Sequence, residues 1–530
     1  MSSRTDLLLF QLFVGICLFV SGKCQLCEDS KYLYPPIVTC KNVTGKFPEF
    51  TKAIASVRCY DCNIPVVDEN TIAKFKGDTF NLSYSHVKNI SSTAFKSFEN
   101  TTHKFLFESN EITYIGPGVF SRFSALDEIN LRNNKISTLP DGAFVDTNVG
   151  VLDLSHNQLS DINKTFKGLK VALLNLSYNE IANLDANTFD NTTFWAGRQW
   201  RTRAQQVDLS YNLITKIDPN TFKAVSSETS LRSLFFKNNR ITTIENNTFS
   251  QLAYLSTLTL EDNYISELYT DSFKGLKRLS NLYLKNNKIE KIPQSIFADL
   301  QTLEFLDLSD NFLTTLSSNT FSGLTFLTKL NISHNNLKVL DDVHLFPLGR
   351  LMSLDISNNK LKDLNLPVIL EHHYKLRVLV INDNFWTCKH LVRMYKLINE
   401  RMGGFNYPAH HYDVPNLHGI ACSRTELNSY DMTFDDFLNV ISQDRIFEDI
   451  FDDKINNEYS DLLGIQDVVL AIKSVRSIFY MFLIVVIIMI LLLTQFIVRC
   501  IYQYWYRRNT VPSDKFCFSY APNQDNVELI

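Results

Sequence analysis

Two columns of residues recur in phase along this sequence, and together they dictate a stacked array. The first is polar and runs Cys62, Ser85, Asn110, Asn134, Asn157, Asn179, Asn212, Asn239, Asn263, Asn287, Asn311, Asn335, Asn359 and Asn384, mostly 22 to 25 residues apart. The second is a phenylalanine ten residues later: Phe95, Phe120, Phe144, Phe189, Phe222, Phe249, Phe273, Phe297 and Phe321. Phe166 and Phe346 are one residue out of step. Around the polar column runs L-x-x-L-x-L-x-x-N-x-L: residues 279–289 read LSNLYLKNNKI, 303–313 LEFLDLSDNFL and 351–361 LMSLDISNNKL. Self-similarity at such a period means units that cannot bury an apolar face alone and must stack on their neighbours.

Each column has a physical task. In L-x-x-L-x-L the alternating apolar residues of a short strand point inward and the intervening ones outward. The Asn stands where the chain leaves the strand, and its amide both donates and accepts, so it can satisfy backbone groups stranded inside the turn. Cys62 and Ser85 are expected to do part of this. The Phe returns from the far side and packs against the Phe of adjacent turns. Both ends of such an array expose raw core and need caps.

The pattern resembles the extracellular leucine-rich-repeat family over roughly residues 24–425. Within that family it is similar to insect transmembrane leucine-rich immune proteins and Toll-like ectodomains. The resemblance implies an α/β solenoid: a leucine-rich-repeat horseshoe with a parallel concave β-sheet and disulfide caps. About 14 repeats fill residues 54–386, between an N-terminal cysteine cap at 23–62 and a C-terminal flank at 387–425. Asn384-Phe385-Trp386-Thr387-Cys388 resembles the start of the family's flank, with Leu391, Tyr395 and Leu397 suiting its helix. The family's second cysteine is replaced by His390, which leaves one disulfide and suggests a looser cap.

Targeting features frame the array. Residues 1–22 read as a signal peptide, with cleavage after Gly22 or as late as Cys24. Residues 477–498 carry no charge and would span about 33 Å as a helix, enough for a hydrocarbon core of about 30 Å. Residues 426–476 read as an acidic juxtamembrane stalk and 499–530 as a short cytoplasmic tail. That tail is too short for a Toll-type domain, so signalling is expected to be borrowed from a partner. The expected location is the plasma membrane, single-pass type I, with the N-terminus outside. Cysteines cluster at the two ends of the extracellular part, as in disulfide-pinned caps. Cys388 pairs with Cys422, whereas the pairing among Cys27, Cys40, Cys59 and Cys62 stays open. Glycosylation sequons fall at Asn42, Asn81, Asn89, Asn100, Asn163, Asn175, Asn191, Asn246 and Asn331.

Candidate binding residues come from the outward strand positions. Most turns read Asp or Asn followed two residues on by Ser. Three successive turns differ: Phe235 with Lys237, Thr259 with Glu261, Tyr283 with Lys285. Aromatics among alternating charges suit a protein hot spot, or else ordinary exposed residues whose charges pair across strands. Sequons at Asn81, Asn175 and Asn331 fall on the same face and would leave that stretch open. A second candidate is the long turn between Asn179 and Asn212, whose insertion carries Trp195, Arg198 and Trp200.

The formal net charge of −4 argues against nucleic acid as partner. His372–His373 and His410–His411 lack metal-ligand spacing, no phosphate loop or nucleophile elbow occurs, and no cofactor, metal or catalysis is expected. The expected function is therefore a cell-surface leucine-rich-repeat receptor or co-receptor for a protein ligand, in innate immunity as the resemblance implies. The alternative is an adhesion protein binding another repeat protein on a neighbouring cell. Either reading admits a homodimer or a heterodimer.

Overall fold

The structure, a computed structural model, describes residues 26–29, 35–48, 54–72, 75–121, 123, 125–194, 205–225, 230–402, 416–417 and 420–422. The signal segment, the stalk, the segment 477–498, the tail and Trp195, Arg198 and Trp200 lie outside them. Among the described residues no helix is long and apolar enough to cross a membrane.

Each turn opens with a short strand whose central residue is fully inside. In Asn281–Tyr283 the buried residue is Leu282, and it stands in register with Leu258 on one side and Leu306 on the other. The same parallel register runs from Ser56–Tyr60 to Val378–Val380, in a 17-stranded sheet among the described residues. Parallel neighbours require a crossover between strands, and the returning half of each turn supplies it. The 33-residue step from Asn179 to Asn212 leaves the register intact, because Leu174 still pairs with Val207.

The polar column forms a continuous hydrogen-bond ladder. Nδ2 of Asn287 donates to Leu260 O of the preceding turn (2.9 Å) and to Leu284 O of its own (3.0 Å), and its Oδ1 accepts the Ile265 N–H (3.0 Å). Asn134, Asn212, Asn335 and the other ladder asparagines repeat this pattern. Ser85 supplies only the donor half, its hydroxyl reaching Cys59 O at 3.2 Å. Cys62 corrects the sequence reading, since it is bonded to Cys59 and carries no amide-like role. The residue before each ladder position takes left-handed backbone, as at Asn133, Tyr178, Tyr211 and Asp310.

The phenylalanine column is the spine of the back. Phe120, Phe144, Phe166, Phe189 and Phe222 are at most 1 % exposed and stack with centroids 5.6–6.2 Å apart. Strands in a sheet stand about 4.8 Å apart. A back spaced more widely than the sheet bends the array so that the sheet lines the inside of the curve. Phe346 departs from the expected column: it is 66 % exposed, edge-on to His372, and Leu345 is buried in its place. Ten residues after Asn335 is position 345, so the ladder spacing holds and Leu takes the slot. In the earliest turns Phe80 and Phe105 replace the strand leucines, packing with Phe75, Phe95, Phe98 and Phe123.

Both ends are closed. At the N-terminus Leu26–Asp29 pairs antiparallel with Ile37–Lys41, tied by Cys27–Cys40, and Ile37–Lys41 pairs parallel with the first repeat strand. At the far end helix Cys388–Met402 lays Leu391, Val392, Met394, Tyr395 and Ile398 over the last turn, with Leu397 half-buried, and Cys388 is bonded to Cys422. His390 does not leave a gap. Its ring stacks on buried Trp386, and Nε2 accepts the Leu364 N–H at 3.2 Å.

Candidate functional site on the concave sheet

The outward strand positions obey a rule that the sequence reading missed. In Asp153–Ser155, Asn175–Ser177, Asp208–Ser210, Asp307–Ser309, Asn331–Ser333 and Asp355–Ser357, the first side chain accepts the N–H of the second at 2.9–3.1 Å. Asp and Asn side chains commonly cap the backbone two residues on. The serines, expected to face outward, are instead buried, at 0–7 % exposure. Asp307 is buried too, and that burial pushes its carboxyl above the usual range against the pull of the Ser309 hydroxyl.

The three exceptional turns lack this cap. Phe235, Thr259 and Tyr283 offer no carboxylate or carboxamide, so the N–H groups of Lys237, Glu261 and Lys285 have no such acceptor on their own strand. Phe235, Tyr283, Lys237 and Glu261 are half-buried, Lys285 is exposed and Thr259 is buried. Lys237 Nζ lies 2.9 Å from Glu261 and 3.4 Å from Asp262, and the Glu261 hydrogen bond holds the ammonium pKa above its ordinary value. Lys285 turns away toward Asp310 at 3.5 Å. The charges therefore do pair across strands, while the aromatics stay available. Tyr283 packs on Phe305 with centroids 5.1 Å apart, and its phenol is raised by burial and by Glu261 and Asp307.

These side chains line a depression of about 420 Å³ together with Tyr178, Tyr211, Gln206 and Asp208. Lys285 is not among its walls, so the structure brings together four of the five candidates on these strands. Sequence reading missed the tyrosines. His156, Tyr178 and Tyr211 stack with centroids 4.2 and 4.3 Å apart along the left-handed column, where most turns carry Asn or Asp. Three successive rings in that column were the available signal. Asn81, Asn175 and Asn331 are half-buried on the sheet, each with Oδ1 engaged by the residue two further on.

A larger depression, about 550 Å³, lies beside Glu267, Tyr269, Lys291, Pro293 and Leu316. Among the described residues no group of three or more His, Cys, Asp or Glu is placed to hold a metal. His373 is buried with Nδ1 3.1 Å from Leu348 O, and His410–His411 lie outside the described residues.

This geometry defines a leucine-rich-repeat solenoid with an interrupted concave face. The family model described as leucine rich repeat matches residues 103–159, 124–181, 229–289 and 277–337. Mouse keratocan is 38 % identical over 94 residues, 17 % of this chain and 26 % of keratocan, so the chain spans about a quarter of that relative. Bovine keratocan matches equally. Two solved structures share the fold: the APL1 leucine-rich repeat domain (TM-score 0.52, 20 % identity, covering 72 % of this chain and 97 % of that one) and the LRIM1/APL1C complex (0.54, 19 %, 92 % and 83 %).

Proposed function

We propose that this chain is a cell-surface receptor or co-receptor that binds a protein ligand on the concave face of its repeats. The observation that carries the reading is the three-turn interruption. Eight turns spend the outward position on capping their own backbone, whereas the three successive turns of Phe235, Thr259 and Tyr283, like the separate turns of Leu106 and Val380, present other side chains there. Aromatic anchors within a ring of paired charges are the composition of interface hot spots. The uncharged segment 477–498 supports anchoring, and the capping disulfides support an oxidising compartment. The solved LRIM1/APL1C complex supports a protein partner, a second repeat protein included.

Cells displaying the full chain, wild type or Phe235→Ala/Tyr283→Ala, would be probed with a panel of secreted proteins and partner cells. Binding by wild type and its loss in the equally displayed double variant supports the reading. Equal binding by both moves the site off the concave strands. Aggregation among the displaying cells themselves would favour the adhesion alternative.

A further inference from the structure

The depression on the concave sheet has a charge and ring arrangement that selects one chemistry. Its walls carry the rings of Tyr178, Tyr211, Phe235 and Tyr283 and the carboxylates of Asp208 and Glu261. The one cation in its lining among the described residues, Lys237, is already held by Glu261 and Asp262 at 2.9 and 3.4 Å. Asp208 gives Oδ1 to the Ser210 N–H at 2.9 Å and has no ion pair among the described residues. Tyr178 is covered by His156 on one face and Tyr211 on the other, while Tyr211 ends the stack, with no second ring over it among the described residues. Among the described residues the unpaired charge of the lining is therefore negative, in a hollow lined by aromatic rings. Burial raises both the Tyr178 and Tyr283 phenols; at Tyr178 the Tyr211 hydroxyl adds more than Asp208 does and Arg132 pulls the other way, while at Tyr283 Glu261 and Asp307 add to the rise.

Resting on the concave-face reading, we propose that this depression receives an arginine side chain of the protein partner. The guanidinium would lie against the tyrosine and phenylalanine rings with its edge toward Asp208. A planar, weakly hydrated cation suits flat ring walls and a carboxylate together, and ring quadrupoles attract it. An anionic group meets Asp208 and Glu261, and a purely apolar one leaves Asp208 desolvated without a counter-charge.

The test uses the full-length chain with N-acetyl-arginine amide and its neutral isostere N-acetyl-citrulline amide, read by saturation-transfer NMR. The expected result is binding of the arginine probe about tenfold tighter than citrulline. Asp208→Asn should cut that preference severalfold without unfolding, because Asn already caps the equivalent serine at Asn175 and Asn331. Tyr211→Ala should weaken the arginine probe severalfold. Equal binding of the two probes, or an unchanged preference in Asp208→Asn, overturns the proposal. If Phe235→Ala/Tyr283→Ala abolishes partner binding while the arginine probe shows no preference, only the arginine assignment falls. If that double variant leaves partner binding intact, the concave-face reading falls with it.

Discussion

The ladder asparagines predict a local and asymmetric cost of substitution, and Asn287 shows it most cleanly. At 1 % exposure its amide donates to Leu260, Leu284 and Lys285 carbonyls and accepts the Ile265 N–H. In Asn287→Ala the carbonyls are not orphaned. Leu260 O keeps Asn263, Leu284 O keeps Asn311 and Lys285 O keeps the Asp262 N–H. The Ile265 N–H has no replacement and is buried. A stranded buried donor costs about 1–3 kcal/mol and the lost donor bonds about 1 kcal/mol more, so the variant should lose about 2–4 kcal/mol locally. Amide exchange at Ile265 should then accelerate by about 30- to 1000-fold. Ser85→Ala is the control. It loses hydroxyl bonds to Cys59 and Ser83 carbonyls, but Val87 N–H keeps Asn110 Oδ1 at 3.0 Å. Its cost should be about 1 kcal/mol. Hydrogen exchange by mass spectrometry on peptides spanning 85–90 and 260–270 reads both. Unchanged protection at Ile265, or an equal loss in both variants, would refute the orphaned-donor account.

Three further outcomes follow from particular side chains. Leu345→Ala should cost about 2–5 kcal/mol because Leu345 fills the back column, whereas Phe346→Ala should stay within about 0.5 kcal/mol; urea unfolding midpoints compare them. Burial lowers the His390 imidazole below its ordinary value, with exposed Asp363 pulling weakly the other way, so the folded cap holds it neutral. The unfolded chain binds the extra proton, and stability of the C-terminal turns should fall as pH drops below about 6.5. His390→Phe should flatten that slope in exchange protection of residues 388–398, and an unchanged slope would remove His390 as its source. Finally, Asn163 donates Nδ2 to Asp185 at 2.8 Å with its Oδ1 buried, while Asn100 and Asn246 are exposed. Glycopeptide mass spectrometry of the expressed chain should find Asn100 and Asn246 occupied and Asn163 bare; a glycan on Asn163 would contradict the packing.

The phase of the array was written in the sequence. Each ladder Asn is matched to a turn by spacing alone, because a backbone group inside a tight turn needs an amide at one fixed place. The Phe column follows from the same period, and so does the parallel register, which survives the long step to Asn212. Only the tertiary structure decided which way individual side chains face once that frame is built. The serines two residues past Asp153 or Asp307 look outward by strand alternation, yet the cap from the preceding carboxylate turns them in. Phe346 looks like a displaced core residue, yet the ladder spacing gives the slot to Leu345. Cys27–Cys40 and Cys59–Cys62 could be paired only when the cap hairpin and first turn stood side by side. His156, Tyr178 and Tyr211 are 22 and 33 residues apart in sequence and become one stack because the parallel register sets them a strand's width apart. Spacing fixes the frame because backbone hydrogen bonding is periodic, whereas the candidate binding face depends on contacts between turns, which no single repeat contains.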